Sequence, residues 1–527
     1  MELINSLNNN SKIAKVYRVF SICIVMVLAV FWCMQKNGMF LDEIYSYGLS
    51  NGYYEPFLKE AKQGNIIDST FLREEFIDYL TVSEEDSFSY DSVFYNQEKD
   101  VHPPLFYVLL HTVASIFPNT FSKWMGLGLN LFYFFITLLF VNGISKQLFH
   151  NRYIPSIMTI LYGCTSYALS NVVFIRMYML STMLTVVLAF LVLKVLNDDL
   201  WVYYVLMCIV VCAGLLTHYF FVFYAFFISA FLVIYLLFKK DYTKAIKSSV
   251  FLILGVIAFI AIFPTCLHHI TVKTGTGATT AEYISSFSLR RIFAVAYGLA
   301  ADYIFPIIVG ILILFFLLIN RKKAVSVILT NRSTLPAFII LVCPAILSFF
   351  AITLVSSSSR YVANISPFFV FIVGYFIDVS IAITEKESYR KVGLALLTII
   401  PICFAFIIKP SYLYTEYAEY DQMVQEYSKY SCIYITTNRN PSITQDLPQL
   451  IHFDNVIVVE DVDSPYLANN VKNVQEDDGL IVYFASYPES LFDESKVAKI
   501  KDKTGFSSGD FMYSNGWSNV YRFTKGD

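Results

Sequence analysis

The sequence predicts a polytopic α-helical membrane protein of about eleven transmembrane helices, followed by a small extracytoplasmic α/β domain. Three observations lead there. Hydrophobic residues make up 56% of the 527 and charged ones only 15%, far from the balance of a soluble chain. Apolar runs of spanning length recur from residue 14 to about 410. From about 411 the composition turns polar, broken by short runs rich in Ile, Val and Tyr. The formal charge of −3 leaves no basic surface for nucleic acid. Of nine cysteines only Cys432 stands in a polar region, and no C-x-x-C occurs, so neither a disulfide framework nor a zinc ribbon is indicated.

The first run, 14–35, follows Lys12, Lys15 and Arg18 and is not followed by a small-x-small cleavage site. It reads as an uncleaved first helix. Further spans are expected near 124–145, 153–173, 178–196, 201–216, 219–238, 248–266, 292–319, 335–355, 361–381 and 390–409. The stretch Leu105–Phe117, between Pro104 and Pro118, is too short to cross and suits an interfacial or re-entrant helix. Basic residues test this count. With the N-terminus inside, the loops 146–152, 239–247, 321–332 and 385–391 all fall on the cytoplasmic side, as retention of Lys and Arg requires, and the C-terminus is extracytoplasmic. The loop Asn197-Asp198-Asp199 has only Lys194 nearby and contributes least to that pattern. A multi-pass protein of the plasma (inner) membrane follows.

Segment 36–103 carries fourteen acidic and five basic residues and forms a large first outer loop. Its stretches YYEPFLKEAKQ and STFLREEFIDYLTV space aromatics and Leu three or four apart, which predicts short amphipathic helices on the membrane surface. SCIYITT, VIVVE and GLIVYFA read as buried strands. The expected division is therefore 1–410, a transmembrane domain that includes the loop 36–123, and 411–527, an extracytoplasmic α/β domain.

Polar constellations stand at the outer ends of the expected helices: Asp42-Glu43, Asp100-x-His102-Pro-Pro, Arg176-x-Tyr178, Thr217-His218-Tyr219 and Ser359-Arg360-Tyr361. An Arg-Tyr or His-Tyr at a helix end is commonly an interface anchor. Acid, imidazole and guanidinium at one depth on one face point instead to a site, because ionisable groups near a bilayer are costly without a role. Sugar transfer from a lipid phosphate needs a carboxylate for the acceptor, cations for the leaving phosphate and apolar walls for the tail. Asp42, with Glu43 beside it, suits the first need. Arg176 and Arg360 suit the second, since guanidinium matches phosphate bidentately. Lys273, Arg290 and Arg291 are further outer cations, equally suited to lipid anchoring. Asp100 and His102 either line the pocket, cap the helix that follows, or ligate a divalent ion. The cofactor is unknown, and no metal ligand is assigned.

The order LDE after the first span, D-x-HPPLFYVLLH before the second, then R-x-Y and SSRY, resembles the bacterial family 39 glycosyltransferases of the GT-C class. Protein O-mannosyltransferases and the lipid A aminoarabinose transferase are relatives. The resemblance covers roughly residues 14–410. It implies a GT-C fold and a polyprenyl-phosphate-linked sugar donor. It also implies an inverting transfer to an envelope lipid, polysaccharide or protein, with Asp42 as the acceptor-activating base. Glu43, Asp100, His102, Arg176, Tyr178, His218, Tyr219, Arg360 and Tyr361 are the accompanying site candidates. A polytopic transporter or flippase is the alternative, distinguished by charges at the bilayer midplane and by two related halves.

Overall fold

The computed structural model describes residues 2–269, 288–330, 334–438, 440–476, 478–487 and 492–525. Lys273 lies outside them. The chain divides into two compact units. One comprises residues 1–34, 101–106 and 126–411. The other comprises 35–100, 107–125 and 412–527. One boundary falls after Ser411, and the loop after the first helix clusters with the C-terminal residues.

The first unit is helical. Among the described residues eight helices are long and apolar enough to cross a membrane, or up to nine if one bent pair counts as a span. The expected count of about eleven differs at three places. The run 153–173 is two helices, Ile154–Gly163 and Ser166–Val173, because the Thr165 hydroxyl accepts from Ala168 N–H at 3.1 Å and starts a new helix. Trp201–Thr217 is a 17-residue helix. The run 292–319 is Leu289–Asp302 and Ile304–Ile319, bent by 90°. Pro306 stands in the first turn of the second piece, where its missing N–H costs no intrahelical bond.

Polar contacts join several helices near their ends. Asn197 donates to Gln147 at 3.1 Å, Lys247 pairs with Asp199 at 2.8 Å, and Lys323 pairs with Glu385 at 2.5 Å.

The second unit is built on one six-stranded sheet: β1 (Ser69–Leu72), β2 (Ser431–Ile435), β3 (Asn455–Val459), β4 (Gly479–Ala485), β5 (Asp510–Ser514) and β6 (Ser518–Thr524), in the order β1-β3-β2-β4-β6-β5. The central β3, β2 and β4 are parallel and almost wholly buried, which is why each is a continuous apolar run in the sequence. Ile433, Ile435, Ile457, Val459, Val482 and Phe484 pack with Leu467, Val474 and Ile500 from the helices Pro465–Glu476 and Ser495–Thr504.

The edge strand β1 comes from the acidic first loop and pairs antiparallel with β3, Ser69 opposite Val458 and Leu72 opposite Asn455. This pairing binds the loop to the C-terminal residues. It also corrects the helical reading of STFLREEFIDYLTV: the first four residues are strand, and only Arg73–Leu80 is helix. YYEPFLKEAKQ yields one 3-10 turn, Leu58–Lys62. The twelve-residue helix Leu105–Ile116 joins this unit from Tyr107 on, where His111 Nδ1 lies 2.8 Å from Ser50 O and the Ser115 hydroxyl accepts from Phe88 N–H.

Candidate active site

Six of the ten expected residues gather in the helical unit. Arg176 sits in the short link between helices Ser166–Val173 and Tyr178–Asn197, and two devices on the helix Lys123–Leu148 hold that link. The buried Asn130 amide donates to the carbonyls of Val172 at 3.1 Å and Phe174 at 2.7 Å. One turn earlier, Gly126 lets Ile175 approach so closely that a β-carbon there would lie 2.1 Å from its Cγ2. The link is thereby pinned on both sides of Ile175, and the Arg176 guanidinium comes within 3.2 Å of His102 Nε2. Only 3% of Arg176 is exposed, an expensive placement for a permanent cation without a function.

Arg360 and Tyr361 are on the 3-10 segment Ser359–Ile365. Its two ends are fixed by tyrosines: Tyr167 donates to Ser359 O at 2.6 Å, and Tyr303 donates to Ser366 O, just past the segment, at 3.1 Å. The Arg360 guanidinium stacks over the Tyr361 ring at 5.3 Å. Tyr361 in turn meets His218 at 5.7 Å, Tyr178 at 6.0 Å and Phe220 at 4.8 Å between ring centroids. Tyr178 also packs on His218 at 5.4 Å. Four rings, those of Tyr178, His218, Phe220 and Tyr361, thus pack together, and His102, Arg176 and Arg360 act electrostatically on His218 among them. Burial first, then the charges of His102, Arg176 and Arg360, hold the His218 imidazole well below its ordinary value, so it is neutral at pH 7. Such a site is electropositive without being basic.

Tyr219 turns elsewhere. Its hydroxyl meets His269 Nδ1 at 2.8 Å and its ring packs on Phe259. Arg290 is exposed, and Arg291 donates to Leu354 O at 3.3 Å. On the bent helix pair, Leu299, Tyr303 and Pro306 line an apolar cavity of about 260 Å³ with Phe349, Phe369 and Val373.

The carboxylates Asp42, Glu43 and Asp100 belong to the other unit. Asp42 and Glu43 open the helix Leu41–Asn51. Glu43 is fully buried: its Oε2 accepts Phe40 N–H at 2.7 Å and pairs at 3.0 Å with Lys36, itself fully buried. Lys36 also donates to Tyr412 O at 2.6 Å and lies 5.7 Å from the Tyr414 ring centre. Glu43 thereby anchors the first turn of the helix, and Asp42 beside it is the more accessible carboxylate. Asp100 caps the helix Tyr90–Lys99. Tyr45, one turn beyond Asp42, is pushed above its ordinary value by burial, which outweighs a hydrogen bond with Thr444, and further by the charges of Asp42 and Asp100.

Lys36, Asn130 and Gly126 escape motif reading, since a Lys ending an apolar run looks like an interfacial anchor and an Asn or Gly inside one looks incidental. Among the described residues no three of His, Cys, Asp and Glu gather as a metal centre would require. His102 faces the Arg176 guanidinium, a partner that disfavours a dication there.

The fold is of the GT-C type, shared with solved membrane proteins to which the chain is similar over nearly its whole length. ArnT from Cupriavidus metallidurans in the apo state superimposes with a TM-score of 0.55 at 12% identity, covering 97% of this chain and 98% of that one. The same protein bound to undecaprenyl phosphate gives 0.54 at 12%, over 96% and 97%. The oligosaccharyltransferase of Archaeoglobus fulgidus in complex with Zn and sulfate gives 0.51 at 12%, over 96% of this chain and 72% of its own. No family model and no curated protein matches the sequence.

Proposed function

We propose that this protein is an inverting membrane glycosyltransferase that moves a sugar from a polyprenyl phosphate to an envelope acceptor at the outer face of the plasma membrane. The observation that carries this reading is the cluster of Arg176, Arg360 and His102 around an aromatic wall with a neutral His218. Two guanidiniums match a phosphate and stay charged at any working pH. The fold likeness to a protein crystallised with undecaprenyl phosphate supports the donor class. The apolar cavity on the bent helix pair suits a lipid tail.

Transfer then proceeds by in-line displacement. Asp42 accepts the proton of the acceptor hydroxyl. That oxygen forms the bond to the anomeric carbon as the bond to the phosphate oxygen breaks, and the electron pair leaves with the polyprenyl phosphate, where Arg176 and Arg360 hold the growing charge. Glu43 and Lys36 position Asp42. The topology in this reading has the N-terminus cytoplasmic and residues 412–527 outside, following the basic loops. The transporter reading draws no support, because the ionisable groups stand at helix ends.

Mass spectrometry of envelope glycans and lipid-linked sugars tests the reading in cells carrying the wild type, a deletion or Asp42→Asn. One decoration should vanish in both altered strains while its lipid-phosphate donor accumulates. Full decoration with Asp42→Asn would remove the base assignment, and unchanged glycans in the deletion would remove the enzyme.

A further inference from the structure

The unit that carries Asp42 also holds a cavity of about 390 Å³, walled by Tyr45, Phe57, Lys59, Asn438, Asn440 and Thr444 among others. We infer that this cavity is an acceptor subsite that binds a pyranose ring. The inference rests on the transferase reading for its role, though not for its binding chemistry.

The volume falls in the range of about 300–1,000 Å³ usual for small-molecule sites. Its walls combine flat aromatic faces with fixed amides and a hydroxyl. Tyr45 and Phe57 meet edge to face at 6.2 Å and 88°, so two differently oriented rings border one space. The electron-rich face of a ring attracts the polarised C–H groups along one side of a pyranose. The amides are preorganised. Asn438 accepts from Ile66 N–H at 2.9 Å and donates to Gly64 O at 3.1 Å, and Asn440 donates to Tyr487 O at 2.6 Å while accepting from Ser442. Each NH₂ group carries two donors and uses one, which leaves a donor on each for a sugar hydroxyl at little cost in ordering. The apolar cavity of the helical unit has no comparable polar lining, so the two spaces suit different molecules.

The position is also suitable. Tyr45 lies three residues after Asp42 on one helix, so the two are neighbours on its surface. A ring held against Tyr45 would present a hydroxyl toward the carboxylate. Lys59 at the rim, 5.6 Å from the centre of Phe57, would favour an acceptor bearing an anionic substituent.

Saturation-transfer NMR on the purified full chain tests this with three probes: methyl glucopyranoside, methyl mannopyranoside and N-acetylglucosamine. At least one should receive saturation on its ring C–H protons from the wild type. Phe57→Ala should lower the signal at least fivefold. Phe57→Leu, which keeps bulk but not a flat ring, carries the same expectation if the alanine variant fails to fold. No signal from any probe with the wild type, or an undiminished signal in the folded Phe57 variants, overturns the subsite. Failure of the glycan assay above would instead remove the transferase reading, and sugar binding would still be decided by the NMR.

Discussion

The two units solve opposite electrostatic problems with the same few residue types. In the helical unit a guanidinium is buried to 3% exposure, a second stacks on tyrosine, and a histidine among them is kept neutral by burial and by those same cations. In the other unit the first turn of one helix presents two carboxylates, and the buried cation Lys36 is held by one of them, Glu43. Where the cations are grouped, neighbouring groups raise the local positive potential. Where the acids are grouped, the cation is engaged in fixing the helix. The proposed transfer calls on cations for a departing phosphate and on a carboxylate for an acceptor hydroxyl.

The largest expected effect on transfer comes from the cationic side. Arg360→Gln removes a charge-assisted contact worth about 1.5–3 kcal/mol, so kcat/KM should fall about ten- to hundredfold, with the loss appearing against donor concentration. If the change appeared only in acceptor KM, the phosphate role would belong elsewhere. The largest effect on stability comes from the buried pair. Lys36→Met leaves Glu43 charged and without its cation in a fully buried place, at a cost of about 3–5 kcal/mol. The double variant Lys36→Met/Glu43→Gln should recover most of that stability in thermal denaturation. If the double variant also recovered full transfer, the pair would serve folding alone and would not position Asp42.

How much of this was legible depends on whether the signal was local. β2, β3 and β4 are buried on both faces and read directly as short apolar runs, and the spanning helices read by length. β1 did not, because Ser69–Leu72 is strand only through pairing with β3, nearly 390 residues later in sequence. The apolar stretch 153–173 carried no local sign of its break, since a Thr inside an apolar run looks harmless until its hydroxyl takes Ala168 N–H. Arg176, Tyr178, His218, Arg360 and Tyr361 stood out as polar residues at helix ends, where burial is costly. Their supports, Asn130, Gly126, Tyr167 and Tyr303, lie within apolar runs and show their function only through the carbonyls and close approaches they serve. Tyr219 was grouped with His218 by adjacency, but consecutive residues leave the chain in different directions, and its hydroxyl reached His269.

A smaller effect on stability concerns a carboxylate of the second unit that lies outside the proposed chemistry. Asp446 is fully buried, and its oxygens accept from Tyr434 at 2.7 Å, Ser518 at 2.6 Å and Asn515 at 2.6 Å. Burial outweighs these three donors and pushes the carboxyl from 3.8 up to about 6. A raised acid binds its proton more tightly when folded, so it favours the folded state at low pH, and that contribution is lost as pH rises from about 4 to about 6. The gap corresponds to about 3 kcal/mol at most. Asp446→Asn keeps an oxygen for Asn515 but obliges two hydroxyls to turn, a cost that does not depend on pH. Thermal denaturation of both proteins at pH 4.5 and 7 should therefore show the wild type losing more stability across the interval than the variant. Comparing the two proteins cancels other acids such as Glu55, which burial pushes to about 7 and which titrates in the same direction. Equal losses in both would mean that the three donors, not burial, set the charge of Asp446.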